Sequence, residues 1–320
     1  MNNAFYIMLL MLCFQSCHQN YYVAENENTN NVLFYGADPS GKTDSSKAFQ
    51  KALTEKHIVT RVPKGVYRLD KKLTVNKHLF LEAGVKLIRV KESNNNQPMI
   101  WLSKSYSTIE GENKRVLIES EIPLKEGIIK IGHENKSITN QNILYSVVKN
   151  LTIKGCGQTV EPSVGIFLYS AQNKGDSSTA SFFHTVRDLV IEHINCAVYL
   201  KGFNNANSIS NIILNRVGDE YRDAAIYLEG SMENRIYDIF HHYSRNATTL
   251  RLDNYVDGNG KVIAPSHNYI FGIVAEQGGD NAICTDIKAG RNNVIGVRCN
   301  TKLGNKTYDS FIKNKNKLIH

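Results

Sequence analysis

One short pattern recurs along the second half of the chain and restricts the fold more than any other feature of the sequence. Five times, an Asp, Asn or Gly stands just before a strand in which apolar and polar residues alternate. These positions are Asp188, Asn211, Asp238, Gly272 and Gly296. The steps between them are 23, 27, 34 and 24 residues, and the longest step contains a Gly/Pro-rich insertion, NYVDGNGKVIAPS. A repeat of this length built from short strands is typical of a solenoid.

A second short strand follows the first in the repeats and ends at corresponding places. Its last residues are Gly202, Gly230, Asn254 and Gly290. An antiparallel sandwich would not readily end the same strand at the same place four times. The pattern therefore predicts an all-β protein, a parallel β-helix in which each coil lies on the last at strand spacing, about 4.8 Å.

The N-terminal part of the repeat region begins with a strand, a Gly/Pro turn and a short helix. Ala48, Phe49, Ala52 and Leu53 recur at helical spacing. Thr43 or Asp44 is well placed to cap this helix. Short strands divided by turns follow it, with almost nothing else that reads as helix, which is typical of a sandwich, barrel or β-helix.

The same region contains a phosphate-loop pattern, G-x-x-x-x-G-K-T, from Gly36 to Thr43. We reject this interpretation because no β-α-β alternation follows it and Pro39 stiffens a loop that would have to wrap phosphates.

Two motifs resemble the pectate-lyase-like superfamily. FYGADPSGKTD, residues 34–44, followed by AFQKAL, residues 48–53, is similar to the family's N-terminal "FGA-x-GDG-x-TD" signature and its capping helix. VPKGVY, residues 62–67, is similar to the "vPaGtY" element of the first coils. The resemblance implies a single-stranded right-handed parallel β-helix with a short N-terminal capping helix. The family includes pectin-degrading enzymes, phage tailspike depolymerases, and lyases and epimerases of other glycans.

Polygalacturonase-type hydrolases of this superfamily carry the pieces NTD, an adjacent Asp pair, GHG and RIK. None of these pieces occurs in the sequence. A catalytic site must therefore be sought in the repeats themselves.

The outward side chains of the second strand offer the first candidate site, because side chains alternate between core and solvent along a strand. The inward set is Val198, Leu200, Ile226, Leu228, Leu250, Leu252, Thr285 and Ile287. The outward set is Tyr199, Tyr227, Arg251 and Asp286 in one column, and Lys201, Glu229, Asp253 and Lys288 in the next.

Glu229 and Asp253 are candidate catalytic residues, since one coil of separation, about 5 Å, is within the range of paired carboxylates. Tyr199 and Tyr227 are candidates for stacking on sugar faces. Arg251, Asp286 and Lys288 in the same columns are expected to contact the substrate. The alternative is a solvated face in which mixed charges pair without catalytic purpose.

Charged turns between the two strands offer a second candidate site. Tyr221 and Tyr243 are candidate acid or base groups for β-elimination from a uronate, with Arg222 and Arg245 neutralising the carboxylate. The neighbouring His241 and His242 read as a solvated pair rather than a metal site. The alternative is that these turns only keep the solenoid soluble.

The N-terminus predicts export. Residues 4–14 form an apolar run too short to span a bilayer, and Ser16-Cys17 after it resembles a bacterial lipoprotein signal with Cys17 as the lipidated residue. The predicted organisation is a lipoprotein-type signal peptide at 1–17, a polar tether at 18–31, the parallel β-helix at 32–310 and a basic tail at 311–320. The expected location is periplasmic or at the outer membrane or cell surface.

The four later cysteines show no CxxC spacing and predict neither a zinc site nor a disulfide framework. A net charge of +8 admits an anionic partner without naming one. We expect polysaccharide, and no nucleic acid, as the partner, membrane contact only through a lipid anchor, and no cofactor, with calcium possible but not indicated by a sharp carboxylate cluster.

These features favour an exported enzyme that cleaves a polysaccharide, expected to be acidic, by lyase or glycoside hydrolase chemistry. Two alternatives remain: a non-catalytic glycan-binding surface lipoprotein, and a tailspike-like homotrimeric depolymerase in place of a monomer.

Overall fold

The computed structural model describes residues 28–90, 97–134, 142–157, 162–171, 181–218, 224–245, 247–278, 283–299 and 317–319. Within them the chain forms a right-handed parallel β-helix with one α-helix near its N-terminal end, which confirms the predicted fold class. The expectations for Cys17, Tyr221 and Arg222 lie outside the described residues. So does the side chain of Arg245, of which only the backbone is described.

The elements follow one another in short lengths. A 3-10 helix spans Val32–Tyr35 and the α-helix, α1, spans Ser46–Thr54. The first fourteen strands are β1 (Thr29–Asn31), β2 (Ser40–Asp44), β3 (Val59–Val62), β4 (Gly65–Arg68), β5 (Leu73–Val75), β6 (His78–Leu81), β7 (Val85–Arg89), β8 (Ile100–Leu102), β9 (Thr108–Gly111), β10 (Leu117–Ser120), β11 (Ile129–Gly132), β12 (Ile143–Leu144), β13 (Val147–Lys154) and β14 (Val164–Ser170). The later strands are β15 (Ser181–Phe182), β16 (Thr185–Ile194), β17 (Cys196–Gly202), β18 (Asn204–Asn205), β19 (Ser208–Val217), β20 (Ala224–Glu229), β21 (Arg235–Arg245), β22 (Thr248–Asp253), β23 (Tyr255–Val256), β24 (Val262–Ile263), β25 (Tyr269–Gly278), β26 (Ile283–Ile287), β27 (Asn293–Cys299) and β28 (Lys317–Ile319).

The strands assemble into two large sheets and two small ones. The fifteen-stranded sheet has the main order β1-β3-β6-β9-β13-β16-β19-β21-β25-β27-β28, with β2, β4, β7 and β10 joined to it through β13. The eight-stranded sheet has the order β26-β22-β20-β17-β14-β11-β8-β5. A third sheet is β12-β15-β18, and β23 pairs antiparallel with β24. Sequential coils therefore lie side by side in parallel, and the apolar core runs between the large sheets.

Two strands lie where the sequence analysis placed the tether and the tail. Thr29–Asn31 pairs in parallel with β3, and Lys317–Ile319 pairs in parallel with β27.

The recurring Asp, Asn or Gly has a conformational cause. Asp188, Asn211 and Asp238 have φ of 59°, 50° and 56°, and Gly272 and Gly296 have φ of 64° and 61°. All five lie in the left-handed region, where Gly, Asn and Asp are the residues that fit most readily. The residues on either side of each position pair with the neighbouring strand, but the residue itself does not. Each position therefore marks a bend at which a long strand changes direction.

The N-terminal cap protects the open end of the solenoid. Ala48, Phe49, Ala52 and Leu53 of α1 are buried, as their spacing predicted. The Gln50 side chain donates from Nε2 to the carbonyl of Thr74 (3.2 Å) and accepts from its N–H (2.9 Å). Because Thr74 is in β5, the last strand of the eight-stranded sheet, this amide pairs with a sheet edge that would otherwise be open.

The phosphate-loop pattern is a turn closed by its own aspartate. Ser40 and Thr43 each donate a backbone N–H and a hydroxyl to the Asp38 carboxylate. These hydrogen bonds hold the pKa of Asp38 well below its usual range. The helix N-cap is Ser45, and Asp44 accepts the N–H of Ser46 (2.9 Å).

A ladder of buried asparagines joins consecutive coils. Asn207, Asn234 and Asn268 each donate from Nδ2 to Oδ1 of the next asparagine, over 2.9, 2.9 and 2.8 Å, and Asn292 ends the series. Each of these four Oδ1 atoms also accepts a backbone N–H from the preceding coil. The ladder pairs polar groups that would be costly to bury unpaired.

Cys156 and Cys196 are not disulfide-bonded, whereas Cys284 is, a bond that the cysteine spacing did not indicate. Across the described ranges, no helix has the length and apolar character needed to cross a membrane.

The left-handed bend gives a stability prediction at Asn211. Replacement by Gly keeps the conformation accessible, so we expect the free energy of unfolding to change by less than about 1 kcal/mol. Replacement by Val forces a β-branched residue into that conformation and should destabilise the protein by about 1–3 kcal/mol. Urea unfolding of the two variants measures the difference, and equal stabilities would contradict this role of the bend.

The ladder gives a pH prediction. His184 precedes Asn207 in the ladder, accepts the N–H of Ser146 at Nδ1 (3.1 Å) and is buried, which lowers its pKa to about 3. A histidine whose folded pKa lies below its unfolded value contributes stability that is complete above the unfolded pKa of about 6.5 and is lost as the pH falls. The loss from pH 7.5 to 5.5 should be about 1.4 kcal/mol for this residue.

His184→Asn should continue the ladder and flatten the dependence of unfolding free energy on pH by this amount. His267→Asn, at an exposed histidine, controls for the exchange of histidine for asparagine itself, and the slope of His184→Asn is compared with it. An unchanged slope in His184→Asn would show that His184 does not titrate as described.

Candidate functional site

Two outward columns run along the eight-stranded sheet, in the register that the sequence predicted. The pairs Tyr199–Tyr227, Tyr227–Arg251 and Arg251–Asp286 are direct strand partners. Column one, as named hereafter, consists of Trp101, Lys130, Phe167, Tyr199, Tyr227, Arg251 and Asp286. Column two consists of Tyr169, Lys201, Glu229, Asp253 and Lys288. The predicted inward set is buried beneath them.

The aromatic rings of column one stack on each other. The Tyr199 and Tyr227 rings are parallel within 3°, with centroids 4.8 Å apart, and Phe167 lies 5.2 Å from Tyr199 on the other side. The Arg251 guanidinium lies 5.9 Å from the Tyr227 centroid. The ring faces are therefore occupied by neighbours in the column. What the tyrosines can offer a ligand is ring edges and hydroxyl groups rather than the open faces expected for sugar stacking.

Two side chains of the columns hold the Glu229 carboxylate. The Tyr199 hydroxyl donates to its Oε2, and Lys201 Nζ lies 3.3 Å from the same oxygen. Burial, followed by the Glu229 charge, raises the pKa of Tyr199 far above its usual range, and the same two causes raise the pKa of Tyr227. Both tyrosines are therefore proton donors at neutral pH. Both contacts use Oε2, and within the described residues no hydrogen bond or ion pair is formed by Oε1.

The other charges of the columns also form pairs. Arg251 Nε donates to Asp286 Oδ2 (2.9 Å), and Lys288 Nζ lies 3.6 Å from Asp253 and 3.7 Å from Asp286. Asp253 is the strand partner of Glu229, one step along the sheet. The three cations and three carboxylates in this part of the surface sum to zero charge.

The insertion in the longest repeat forms a wall beside column two. Tyr255 of the β23–β24 hairpin lies with its ring 5.9 Å from Lys201 Nζ. Burial and a hydrogen bond with Tyr169 raise the pKa of Tyr255 to about 12. Gly230 makes room for this hairpin: with φ of 76°, a Cβ there would lie 2.4 Å from the Tyr255 Cβ.

A cavity of about 100 Å³ lies near the N-terminal end of column one, at Trp101 and Lys130. The Trp101 indole donates to the carbonyl of Gly132 (2.8 Å), and Lys72 Nζ lies over the ring at 4.5 Å. Among the residues that the structure describes, no group of three or more His, Cys, Asp and Glu side chains is arranged to hold a metal ion.

Tyr243, a candidate from the charged turns, lies on a different sheet from the columns. Tyr243 is 73% exposed and lies in β21 of the fifteen-stranded sheet, not in the eight-stranded sheet that carries Glu229. Its ring contacts His242 at 4.2 Å. The interpretation of a solvated histidine pair is wrong for His241, which is fully buried and bonded to Thr249 Oγ1 (3.0 Å). Burial lowers the pKa of His241 to about 4.

The N-terminal half of the surface was not predicted from the sequence. The repeat was recognised only from about residue 187 onward, so Trp101, Lys130, Phe167 and Tyr169 were not counted. A signal was present, because VGIFLYS, residues 164–170, alternates as the later strands do. Extending the alternation toward the N-terminus would have identified Phe167 and Tyr169. The cavity could not be found in this way, because Lys72 and Glu134 in its lining lie outside the strands.

Comparison with known proteins agrees with the fold. No family model and no curated protein sequence matches the chain. Among solved structures, the Streptococcus pneumoniae surface protein and adhesin PfbA is 13% identical with a TM-score of 0.54, covering 91% of this chain and 88% of its own. The catalytic unit of a Streptomyces thermodiastaticus GH87 α-1,3-glucanase is 12% identical with a TM-score of 0.41, over 85% and 63%. The Acinetobacter baumannii phage AM24 tailspike is 11% identical with a TM-score of 0.41, over 82% and 54%.

The strand order and the likeness to PfbA define the fold, a right-handed parallel β-helix, which is the fold that the resemblance to pectate-lyase-like proteins implied. At these identities the similarity concerns the fold alone, and function must be argued from the surface.

Proposed function

We propose that the protein binds a polysaccharide along the outward face of its eight-stranded sheet and cleaves it there. The observation that carries the proposal is the continuity of column one. It places one side chain per coil in a line from Trp101 to Asp286, beside the carboxylates of column two. An elongated line of aromatic edges, hydroxyls and paired charges suits an elongated, hydroxyl-rich ligand.

Glu229 is the proposed catalytic base. Its Oε2 is fixed by Tyr199 and Lys201, which leaves Oε1 oriented for proton abstraction or for activating water. Asp253, its strand partner, is the proposed second carboxylate of a hydrolase. In a lyase, Arg251 would neutralise the uronate carboxylate, and Tyr227, protonated at neutral pH, would donate to the leaving oxygen.

The charges of the columns support neutral and acidic glycans alike. Lys201, Arg251 and Lys288 each lie within 4 Å of a carboxylate oxygen, so an anionic sugar gains a cation only by competing with that carboxylate. The acidity of the polysaccharide, expected from the sequence, is therefore a part of the proposal that the experiment must test.

The activity is tested by incubating the protein with acidic and neutral polysaccharides. A lyase yields unsaturated products that absorb in the ultraviolet, whereas a hydrolase yields only new reducing ends. Glu229→Gln should lower the rate by at least about 100-fold, because it removes the base while keeping the shape. Tyr199→Phe should lower it by about tenfold or more, since Glu229 loses one of its two orienting groups.

The fifteen-stranded sheet offers matched controls. Tyr237 stacks on Phe271 at 5.0 Å and 4°, much as Tyr199 stacks on Tyr227, and Glu110 pairs with Lys149 at 3.0 Å. Tyr237→Phe and Glu110→Gln should leave turnover unchanged. If Glu110→Gln and Glu229→Gln lost activity equally, the proposal that cleavage occurs on the eight-stranded sheet would be contradicted.

A second candidate is a non-catalytic surface protein that binds glycans. Two observations favour it. Each carboxylate of column two, Glu229 and Asp253, lies within 4 Å of a lysine ammonium. The motifs of the polygalacturonase-type hydrolases are also missing from the sequence. PfbA, of the same fold, is itself a surface protein and adhesin. Glycan binding without turnover in both the wild-type protein and Glu229→Gln would support this candidate. A trimer in solution would instead favour the tailspike-like arrangement over a monomer.

Export and lipid anchoring at Cys17 complete the proposal. The disulfide at Cys284 supports export, because disulfides persist in oxidising compartments. In a bacterial host, the wild-type chain should fractionate with membranes, and Cys17→Ala should be released into the soluble exported fraction because a lipid chain supplies the membrane affinity. Identical fractionation of the two chains would contradict anchoring at Cys17.

A further inference from the structure

Three aromatic rings stack on one another in a turn that lies apart from columns one and two. They belong to Tyr106, between β8 and β9, Tyr145, between β12 and β13, and Phe183, between β15 and β16. Their centroids are 5.4 and 5.2 Å apart, and the ring planes are within 18° and 12° of parallel. These three residues are called the aromatic stack below.

Backbone hydrogen bonds hold the aromatic stack at the spacing of the coils. Each of its residues donates its N–H to a carbonyl of the following coil, Tyr106 to Leu144 (2.8 Å), Tyr145 to Phe182 (3.2 Å) and Phe183 to Asn205 (3.2 Å). The rings are therefore in place before a ligand arrives, and such preorganisation lowers the entropic cost of binding.

The backbone of the turn does not explain why these residues are aromatic. Tyr106, Tyr145 and Phe183 have left-handed φ values of 62°, 58° and 62°. The same turn in the next three coils also has left-handed residues, with φ from 56° to 58°, and they are Ala206, Glu233 and His267. The turn thus requires the left-handed conformation in every coil but not a ring, and a bulky side chain is an uncommon choice there.

The ring of Tyr106 has an open face. Tyr145 is stacked between two rings and is 45% exposed, whereas Tyr106 is stacked on Tyr145 alone and is 71% exposed. Within the described residues, neither tyrosine hydroxyl forms a hydrogen bond or an ion pair. The N-terminal end of the stack therefore presents an apolar face to solvent, and two hydroxyl groups, one coil apart, remain available at its edge.

The turns that carry the stack have little charge. They are SKSYS, residues 103–107, NILYS, residues 142–146, and SFFHT, residues 181–185. Lys104 is the one lysine, arginine or carboxylate among them, and His184 is buried, which lowers its pKa to about 3 and keeps it neutral.

This lack of charge, together with the open ring, selects the class of ligand. A strand of nucleic acid also stacks on aromatic rings, but it needs a positively charged groove along its backbone, and these turns do not supply one. The C–H groups on one face of a neutral sugar ring can pack on the face of Tyr106. The sugar hydroxyls can then bond to tyrosine hydroxyls, which both donate and accept.

We propose that the open face of Tyr106 binds a neutral sugar ring of a polysaccharide, as an accessory site outside the face that carries Glu229. The inference rests on the proposed function for the class of ligand. The location is separate, because the columns lie on the eight-stranded sheet and the stack lies in the turn that leads from it to the fifteen-stranded sheet. The accessory site would retain the polymer while another segment of it reaches Glu229.

Binding is tested by affinity electrophoresis of the full-length protein in native gels that contain a neutral polysaccharide, namely galactomannan, xylan or a soluble β-glucan. At least one of them should retard the wild-type protein. Tyr106→Asn should raise the dissociation constant from that polysaccharide by about tenfold or more, because the stacking surface is lost. Tyr106→Phe keeps the ring and should bind within about threefold of the wild type.

The variants also separate a loss of binding from a loss of folding. Asn fits the left-handed conformation, so Tyr106→Asn should fold as the wild type does, which circular dichroism checks. Tyr269→Asn is the control, because Tyr269 is also exposed but lies in β25 outside the stack, and it should leave the retardation unchanged. Tyr106→Asn should cleave short oligosaccharides at the wild-type rate, whereas Glu229→Gln should lose turnover and keep the retardation that depends on Tyr106.

Three results would overturn the inference. They are the absence of retardation by every neutral polysaccharide, equal retardation of the wild type and Tyr106→Asn, and tighter binding of a single-stranded oligothymidylate than of any glycan at Tyr106. Equal retardation with turnover that still depends on Glu229 would leave the proposed function in place. Retardation that depends on Tyr106, with no turnover of any polysaccharide, would instead refute the catalytic proposal and leave the accessory site standing.

Discussion

The in-register stacking of one coil on the next is the constraint on which the rest of the structure depends. Parallel pairing places residues some two dozen apart in sequence as direct neighbours, as with Tyr199, Tyr227 and Arg251. The stacking is held by backbone hydrogen bonds on the outside and by the asparagine ladder within. A shift of one residue would exchange core and surface along a whole strand, so register and site geometry are inseparable.

Local chemistry explains why the fold could be predicted so well from the sequence. Asp188, Asn211 and Gly272 were recognisable because a left-handed bend accepts few residue types, and the bend recurs once per coil. The inward set followed from alternation alone. In the early coils a longer turn between β9 and β10 takes the place of the single-residue bend. The repeat pattern is therefore less evident there than in the later coils.

The geometry of the candidate site was predicted in part, for a physical reason. Which residues face outward is fixed by alternation, and the sequence therefore placed Glu229 beside Asp253 and Arg251 beside Asp286. How long side chains then pair is not fixed by alternation. The Tyr199 hydroxyl turns to Glu229 on the next strand, and Lys130 leans back to Glu126 in a turn. His241 is buried because it occupies a regular inward position of β21, paired with the buried Leu214 and Ala275, so the alternation of the repeat implied its burial and the interpretation as a turn residue overlooked it.

Because each coil contributes one side chain to each column, the length of this outward face is a whole number of coils. The hairpin at β23–β24 shows that a coil can also accept a large insertion while the strands on either side of it, β22 and β26, stay paired. Duplication or loss of one complete coil would therefore lengthen or shorten the face by a single rung and leave the neighbouring rungs intact. If the face binds a polymer as proposed, its reach along that polymer would change in steps of one rung, independently of the chemistry at any other rung.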